Sequence, residues 1–327
     1  MKVLLFGGAG YIGTHVALAF LDRGDTVGIF DNLSSGLESN VSPKAKFYLG
    51  DILDRERVSE VLSEGWDVAV HLAAFKAAGE SMIKPEKYSE NNITGSLIMI
   101  TECVKHGCKN IILSSSAATY GEPKYLPIDE NHPTNPENYY GYTKLCIEEN
   151  LAWYAKLKGI NFAALRYFNA AGYDTTGRMT GLERNPANLI PVVMEAACGM
   201  RDHVAIFGDD YPTEDGTGVR DYVHVTDLAD GHVKAADYLV KNNKSLIVNL
   251  GSESGLSVKQ IVDASRRITG VDIKAVMSPR RAGDPAKLVA TSAKAKEILG
   301  WEAKYSDLDT IISSTWNVYK MNMEKKN

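Results

Sequence analysis

The sequence is poor in cysteine, with four among 327 residues (Cys103, Cys108, Cys146 and Cys198) and no pair at metal-ligand spacing. All four fall on stretches that read as helical, which fits small buried thiols in a reducing compartment rather than a disulfide framework. No apolar run is long enough to span a bilayer, so no transmembrane helix is expected. No basic tract precedes the terminal MEKKN, and the net charge is −5. The clustered positive charge that binds a phosphate backbone is therefore missing. The opening MKVLLFGGAGYIG does not read as a signal peptide, because glycines interrupt its apolar run after five residues; it reads as a buried strand. These absences point to a cytoplasmic globular protein that binds neither nucleic acid nor membrane.

What is present is ordinary globular composition, 44% hydrophobic and 24% charged, enough for one large or two modest domains. The short apolar runs KVLLF, TVGIF, AKFYL, DVAVHL, NIILS and NFAALRY recur between segments of helical spacing, which predicts a parallel βαβ sheet. Near residue 170 the texture changes to GYDTTGRMTGLERNP, and alternation becomes less regular. YVHVTDLADGHVKAADYLV (222–240) again reads as strand then long helix. The expected fold is α/β: a doubly wound parallel-sheet domain of Rossmann type over 1–168, with about 220–250 returning to it, and a smaller mixed α/β domain over 169–327.

GGAGYIG places Gly8, Gly10 and Gly13 in G-x-G-x-x-G spacing, after the first strand and at the opening of a helix that also carries Tyr11 and Ile12. In that context Gly8 and Gly10 let the backbone turn close to a pyrophosphate, Gly13 lets helix and sheet pack, and the helix N-terminus faces the phosphate charge. Eighteen residues after Gly13 the second strand ends at Asp31. A carboxylate there accepts from both ribose hydroxyls of NAD and repels a 2′-phosphate, and neither Asn32 nor the SSG turn behind it supplies an arginine to reverse that preference. Asp51 and Ile52, after the third strand, fall where an adenine contact is expected.

NYYGYTKLCIEEN (138–150) sets three tyrosines before one lysine. Only residues three or four apart share a helix face, so Tyr140 pairs with Lys144, while Tyr139 and Tyr142 do not. Of the other Y-x-x-x-K matches, Tyr120/Lys124 contains Pro123, and Tyr154 lies roughly 21 Å further along at 1.5 Å per residue, at the wrong end of the helix. NIILSSSAATYG brings Ser114, Ser115 and Ser116 to the same sheet edge, with Ser114 and Ser116 on one face. A serine hydroxyl there can donate to a substrate oxygen while Tyr140 moves the proton.

Taken together, GGAGYIG, Asp31, HLAAFKAAGES, SENN, LSSSAATYG, YGYTK, RYFNAAG, IFGDDYPTEDGTGVRDYVHV and RRAGD resemble the UDP-glucose (UDP-galactose) 4-epimerase family of extended short-chain dehydrogenase/reductases, nearly end to end. The glycine loop and Y-x-x-x-K belong to the whole superfamily; FGDDYPTEDGTGVRDYVHV is far more specific. The resemblance implies a catalytic trio of Ser116, Tyr140 and Lys144, an NAD contact at Lys76, and support of the same site by Asn92. It implies UDP-sugar contacts at Asn169, Asn188, Leu189, Arg220 and the run Arg281 to Asp284, with Leu288 beside the sugar 2-substituent. The first domain would bind NAD and the second the UDP-sugar, in a homodimer formed through helices at about 85–106 and 138–158. The implied reaction is oxidation at sugar C4 with bound NAD, Tyr140 acting as base with its phenolate stabilised by Lys144, followed by return of hydride to the opposite face of the 4-keto sugar.

A nucleotide-sugar 4,6-dehydratase shares the oxidation but usually carries an Asp-Glu pair after the hydroxyl residue, where Ala117 and Ala118 stand here. A UDP-glucuronate decarboxylase is disfavoured similarly. A non-catalytic NAD-binding regulator could dispense with the tyrosine–lysine pair, which this chain retains.

Overall fold

The computed structural model describes residues 1–184, 186, 188–280 and 284–325. Its largest element is a seven-stranded parallel sheet built from β1 (Lys2–Phe6), β2 (Thr26–Asp31), β3 (Lys46–Leu49), β4 (Val68–His71), β5 (Asn110–Ser116), β6 (Asn161–Tyr167) and the late strand Leu246–Leu250. The spatial order is Leu246–Leu250, β6, β5, β4, β1, β2, β3. The strands are apolar throughout because both faces are covered. In β1, Val3 and Leu5 join one core cluster with Val16 and Phe20 of the helix Tyr11–Asp22 and Leu228 and Leu239 of the helix Val225–Asn242. Leu4 and Phe6 point the other way, into a cluster with Val58, Met99, Ile147 and Leu151.

The order reverses at β1, whose neighbours are β2 on one side and β4 on the other. The chains leaving β1 and β4 thus diverge, and a crevice opens at the carboxyl ends of the strands, where such sheets take their ligands.

The remaining elements form short pairings rather than one sheet. Asn169–Ala171 runs parallel to Tyr222–His224, Val204–Phe207 to Ala275–Ser278, and Val219–Arg220 lies between Leu256–Ser257 and Lys287–Leu288. The helices Leu189–Ala197, Val258–Thr269 and Leu308–Glu324 pack into a third cluster around Val193, Ile261 and Ile312.

Two expectations need correction. The helix read at about 85–106 is interrupted by a π-helical stretch, Ser89–Thr94, between Pro85–Tyr88 and Gly95–Lys105. Within it the buried Asn92 side chain bonds the backbone of Phe75 on both its amide and carbonyl sides, at 2.9 and 3.0 Å, which draws one turn out of α geometry. Cys108 is not helical either: it lies in the turn before β5, its backbone N–H donating 2.9 Å to the Cys103 carbonyl.

Candidate active site

A cavity of about 530 Å³ runs along the carboxyl edge of the sheet, and its floor is the turn after β1. Gly7 has φ +81°, and a Cβ there would lie 2.6 Å from the backbone nitrogen of Ala73. Only glycine lets these two chains meet. At Gly13 a Cβ would sit 2.3 Å from the Gly7 carbonyl oxygen, so the helix starts directly over the turn. Gly10 is the N-cap of that helix, with no side-chain cap and no acid in the first turn, which leaves the positive end of the helix facing the cavity. Tyr11 and Ile12 also line it, whereas Gly8 does not: a Cβ there would strike the Ile29 side chain at 2.9 Å. Its smallness serves the packing of β1 on β2.

At one end of the cavity the buried Asp31 carboxylate accepts from the backbone N–H of Ala9 at 2.9 Å and of Leu33 at 2.8 Å. Burial raises its pKa, and these two bonds work against that rise. Each oxygen keeps acceptor capacity for a ribose hydroxyl. The lining beside it in sequence is Asn32, Ser34, Ser35, Leu37 and Asn40, none of them a cation. Asn32 donates 2.8 Å to Asp51, whose other oxygen accepts from Leu53; Ile52 lines the cavity and Asp51 stands behind it. The glycine turn, the uncapped helix N-terminus and a buried acid in the same cavity fit a dinucleotide.

The other end holds Ser116, Tyr140 and Lys144. Asn138 caps the helix Tyr139–Lys158, its side chain accepting from Gly141 at 2.9 Å, and this sets Tyr140 in the first turn. Ser81 accepts from the Tyr140 backbone N–H at 3.0 Å. The Lys144 Nζ donates 2.7 Å to the Ser114 carbonyl and sits 5.9 Å from the Tyr140 ring centroid. Burial raises the Tyr140 phenol above its ordinary value, partly offset by a hydrogen bond with the Ser116 hydroxyl. Burial pulls Lys144 down to about 8, opposed by the Glu148 carboxylate. The Lys144 ammonium therefore bonds a carbonyl rather than the phenol hydroxyl.

The competing tyrosines are engaged elsewhere: Tyr139 with Ser89 at 2.6 Å and Tyr154 with Thr101 at 3.2 Å, while the Tyr142 ring lies 5.4 Å from that of Tyr139. Lys76 lines the cavity and forms an ion pair with Glu183 from the opposite wall. Asn92 does not line it; through Phe75 and a 3.2 Å bond to Thr143 it ties the Lys76 segment to the helix Tyr139–Lys158. Asn169 and Asn188 are at the cavity, Asn169 donating 3.0 Å to the Asp221 carbonyl. Leu189 opens the helix Leu189–Ala197 and packs against the third cluster instead. Arg220 and Asp284 are brought together as an ion pair. Arg281 lies outside the described residues. Leu288 pairs with Arg220 in strand register and packs with Phe168 on the small cluster of Ala117, Tyr120 and Ile128; Phe168 lines the cavity and Leu288 does not.

Several residues escaped the sequence reading. Gly7 carried a signal, as the first glycine after a strand. Tyr167, whose hydroxyl bonds Ser114, and Glu183 carried none, since their partners lie far away in sequence.

The chain matches the NAD dependent epimerase/dehydratase family model over residues 3–251. It is 46% identical over 326 residues to the curated UDP-glucose 4-epimerase of Lacticaseibacillus casei, covering 99% of this chain and 98% of that one. Among solved structures it resembles UDP-glucose 4-epimerase from Brucella ovis in complex with NAD, at TM-score 0.95 and 44% identity over 97% of this chain and 98% of that one. It also resembles the Bifidobacterium longum UDP-glucose 4-epimerase in complex with NAD⁺ and UDP, at TM-score 0.92 and 38% identity over 98% and 99%.

Proposed function

Since the chain belongs to the NAD-dependent epimerase/dehydratase family, we propose that it is an enzyme that inverts C4 of a UDP-hexose, interconverting UDP-glucose and UDP-galactose. The observation that carries this reading is the convergence of Tyr140, Ser116 and Lys144 at one end of a cavity whose other end is the glycine turn and Asp31. The turn Gly7 to Gly13 would hold the pyrophosphate of NAD and Asp31 its ribose. When bound, NAD supplies the redox chemistry, accepting hydride from C4 and giving it back.

The protein's own residues handle the proton. Tyr140 takes it from the 4-hydroxyl and later returns it, and Ser116 orients that oxygen by hydrogen bonding to both partners. The Lys144 ammonium, held on the Ser114 carbonyl, favours the phenolate. Lys76, once freed from Glu183, would contact the NAD, with Asn92 as its brace. Asn169, Asn188, Arg220 and the Arg281–Asp284 run serve the UDP-sugar. On this reading residues 1–168 with about 220–250 hold NAD and the rest of 169–327 holds the sugar nucleotide.

Elimination of water is disfavoured. The described carboxylates lining the cavity are Asp31, Glu80 and Glu183, the last two already paired with Lys87 and Lys76, and none adjoins Ser116. A homodimer fits the exposed Tyr142, Trp153 and Leu157 of the catalytic helix and the neighbouring Met82 and Ile83, and the four free cysteines fit a reducing, cytoplasmic setting. No described helix is long and apolar enough to cross a membrane. The test is incubation of purified protein with UDP-galactose without added reductant; formation of UDP-glucose supports the reading, and its absence with NAD still bound revives the regulator.

A further inference from the structure

Behind the cavity, the serine strand and the catalytic helix are joined by a buried charged cluster. Glu148 follows Lys144 by four residues on that helix, so the two share a face. Its carboxylate, 3% exposed, accepts from Arg166 Nε at 2.9 Å and from Nη2 at 2.5 Å, and also from the Ser115 hydroxyl. Arg166 stands opposite Ser115 in the β5–β6 register, and its guanidinium lies 4.8 Å from the Tyr120 ring centroid. Glu148 itself does not line the cavity; Ser115 does. Stability alone is a weak reason for such a pair, because apolar side chains of similar volume would serve as well.

We propose that Glu148 is a positioning residue for the reaction: with Ser115 and Arg166 it locks the serine end of β5 to the helix carrying Tyr140 and Lys144, and it places an anion one turn from the Lys144 ammonium. This rests on the Tyr140–Lys144 reading of the site. The lock matters because the two residues flanking Ser115 do the local work: the Ser114 carbonyl holds Lys144, and the Ser116 hydroxyl bonds Tyr140. The groups around the lysine are few. Tyr140 and Glu148 come from its own helix, the three serines from β5, Arg166 and Tyr167 from β6, and His71 from β4, the last kept neutral by burial. Tyr120 and Glu130 lie beyond Arg166. Among these, Glu148 is the carboxylate that raises the affinity of Lys144 for its proton. Without it the Arg166 cation stands unpaired, and Lys144 gives up its proton at lower pH.

Glu148→Gln, and the double variant Glu148→Gln/Arg166→Met in which no unpaired charge remains, are compared with the parent as NAD-loaded proteins. The Lys144 titration is followed by NMR of ¹³C-labelled lysine, the resonance being identified by its loss in Lys144→Met. The expected result is a Lys144 midpoint lower by about one pH unit in Glu148→Gln, and by less in the double variant. With UDP-galactose, kcat should fall about tenfold or more, with KM little changed and the alkaline limb of the kcat profile displaced to lower pH. A Lys144 midpoint and alkaline limb equal to the parent's in whichever variant folds would overturn the proposal, leaving the pair purely structural. A parent that turns over no UDP-sugar while the midpoint still shifts would instead overturn the functional reading alone.

Discussion

Lys144 holds its ammonium 5.9 Å from the centroid of the Tyr140 ring, over the aromatic face rather than on the hydroxyl. The ammonium thus makes no bond to the phenol, whose proton is held up by burial and eased by hydrogen bonding with Ser116.

Tyr140→Phe removes the hydroxyl proposed to carry the proton without touching the cap at Asn138. Its kcat should fall by about 10²- to 10⁴-fold, whereas Tyr139→Phe and Tyr154→Phe, whose hydroxyls bond Ser89 and Thr101, should stay within a fewfold of the parent. Steady-state rates on folded variants decide it, and near-normal turnover by Tyr140→Phe refutes the assignment.

Lys144→Met tests the charge. Tyr140 must lose its proton to act as base, and burial already resists that loss. Removing the ammonium raises the phenol further, so the acid limb of the kcat profile should move to higher pH by about one unit or more. An unmoved acid limb would mean that the lysine acts only through the cofactor.

Asp31 predicts the nucleotide. Protein extracted without added cofactor should release NAD(H), and NADP should bind much more weakly. Asp31→Ala should weaken NAD by about tenfold or more, and should also lower Tm because the N–H groups of Ala9 and Leu33 lose their acceptor. Mass identification of mainly NADP would contradict this role.

Acid stability follows from buried histidines. Burial lowers His15, His224 and His232 to about 4 and His71 to about 3. The unfolded chain takes up these protons below about 6.5, whereas the folded one refuses them until about 4, so stability is complete above pH 6.5 and drains away as pH falls through that window. For His232 alone the loss at pH 5 is about 2 kcal/mol. Denaturant unfolding at pH 7 and pH 5 should show His232→Leu losing less between the two than the parent; equal losses would remove His232 from the account.

Leu288 is the last test. It packs on the same small cluster as Phe168, which lines the cavity, so a larger residue should press on that wall. We expect efficient turnover of UDP-glucose and UDP-galactose and slower, measurable turnover of UDP-N-acetylglucosamine. Leu288→Ala should raise kcat/KM for the N-acetylated sugar relative to the plain one and Leu288→Tyr should lower it, each by about tenfold. A ratio unchanged in both variants makes Leu288 simply a packing residue.

The strands were legible as short apolar runs between helical segments, and the Tyr140–Lys144 pair because residues four apart share a helix face. Asp31 was legible because a strand end fixes its place. The pairs Lys76–Glu183, Arg220–Asp284 and Glu148–Arg166 were not, since 107, 64 and 18 residues separate the partners and nothing periodic links them. Asn92 shows the intermediate case: its position could be marked, but the π-helical turn it bonds into comes from a tertiary contact with Phe75.

The edge strand Leu246–Leu250 pairs with β6 across nearly eighty residues of intervening chain, and the helix Val225–Asn242 before it buries the helix Tyr11–Asp22. During synthesis, the first six strands therefore emerge with β6 as a bare edge until residue 250, and with Val16, Ala17 and Phe20 lacking the cover of the helix Val225–Asn242 until that helix has left the ribosome. A nascent chain stalled near residue 170 would be a substrate for chaperones rather than a folded nucleotide binder. The segment between 169 and 224 is translated before the seven-stranded sheet is complete, so the two mature only together.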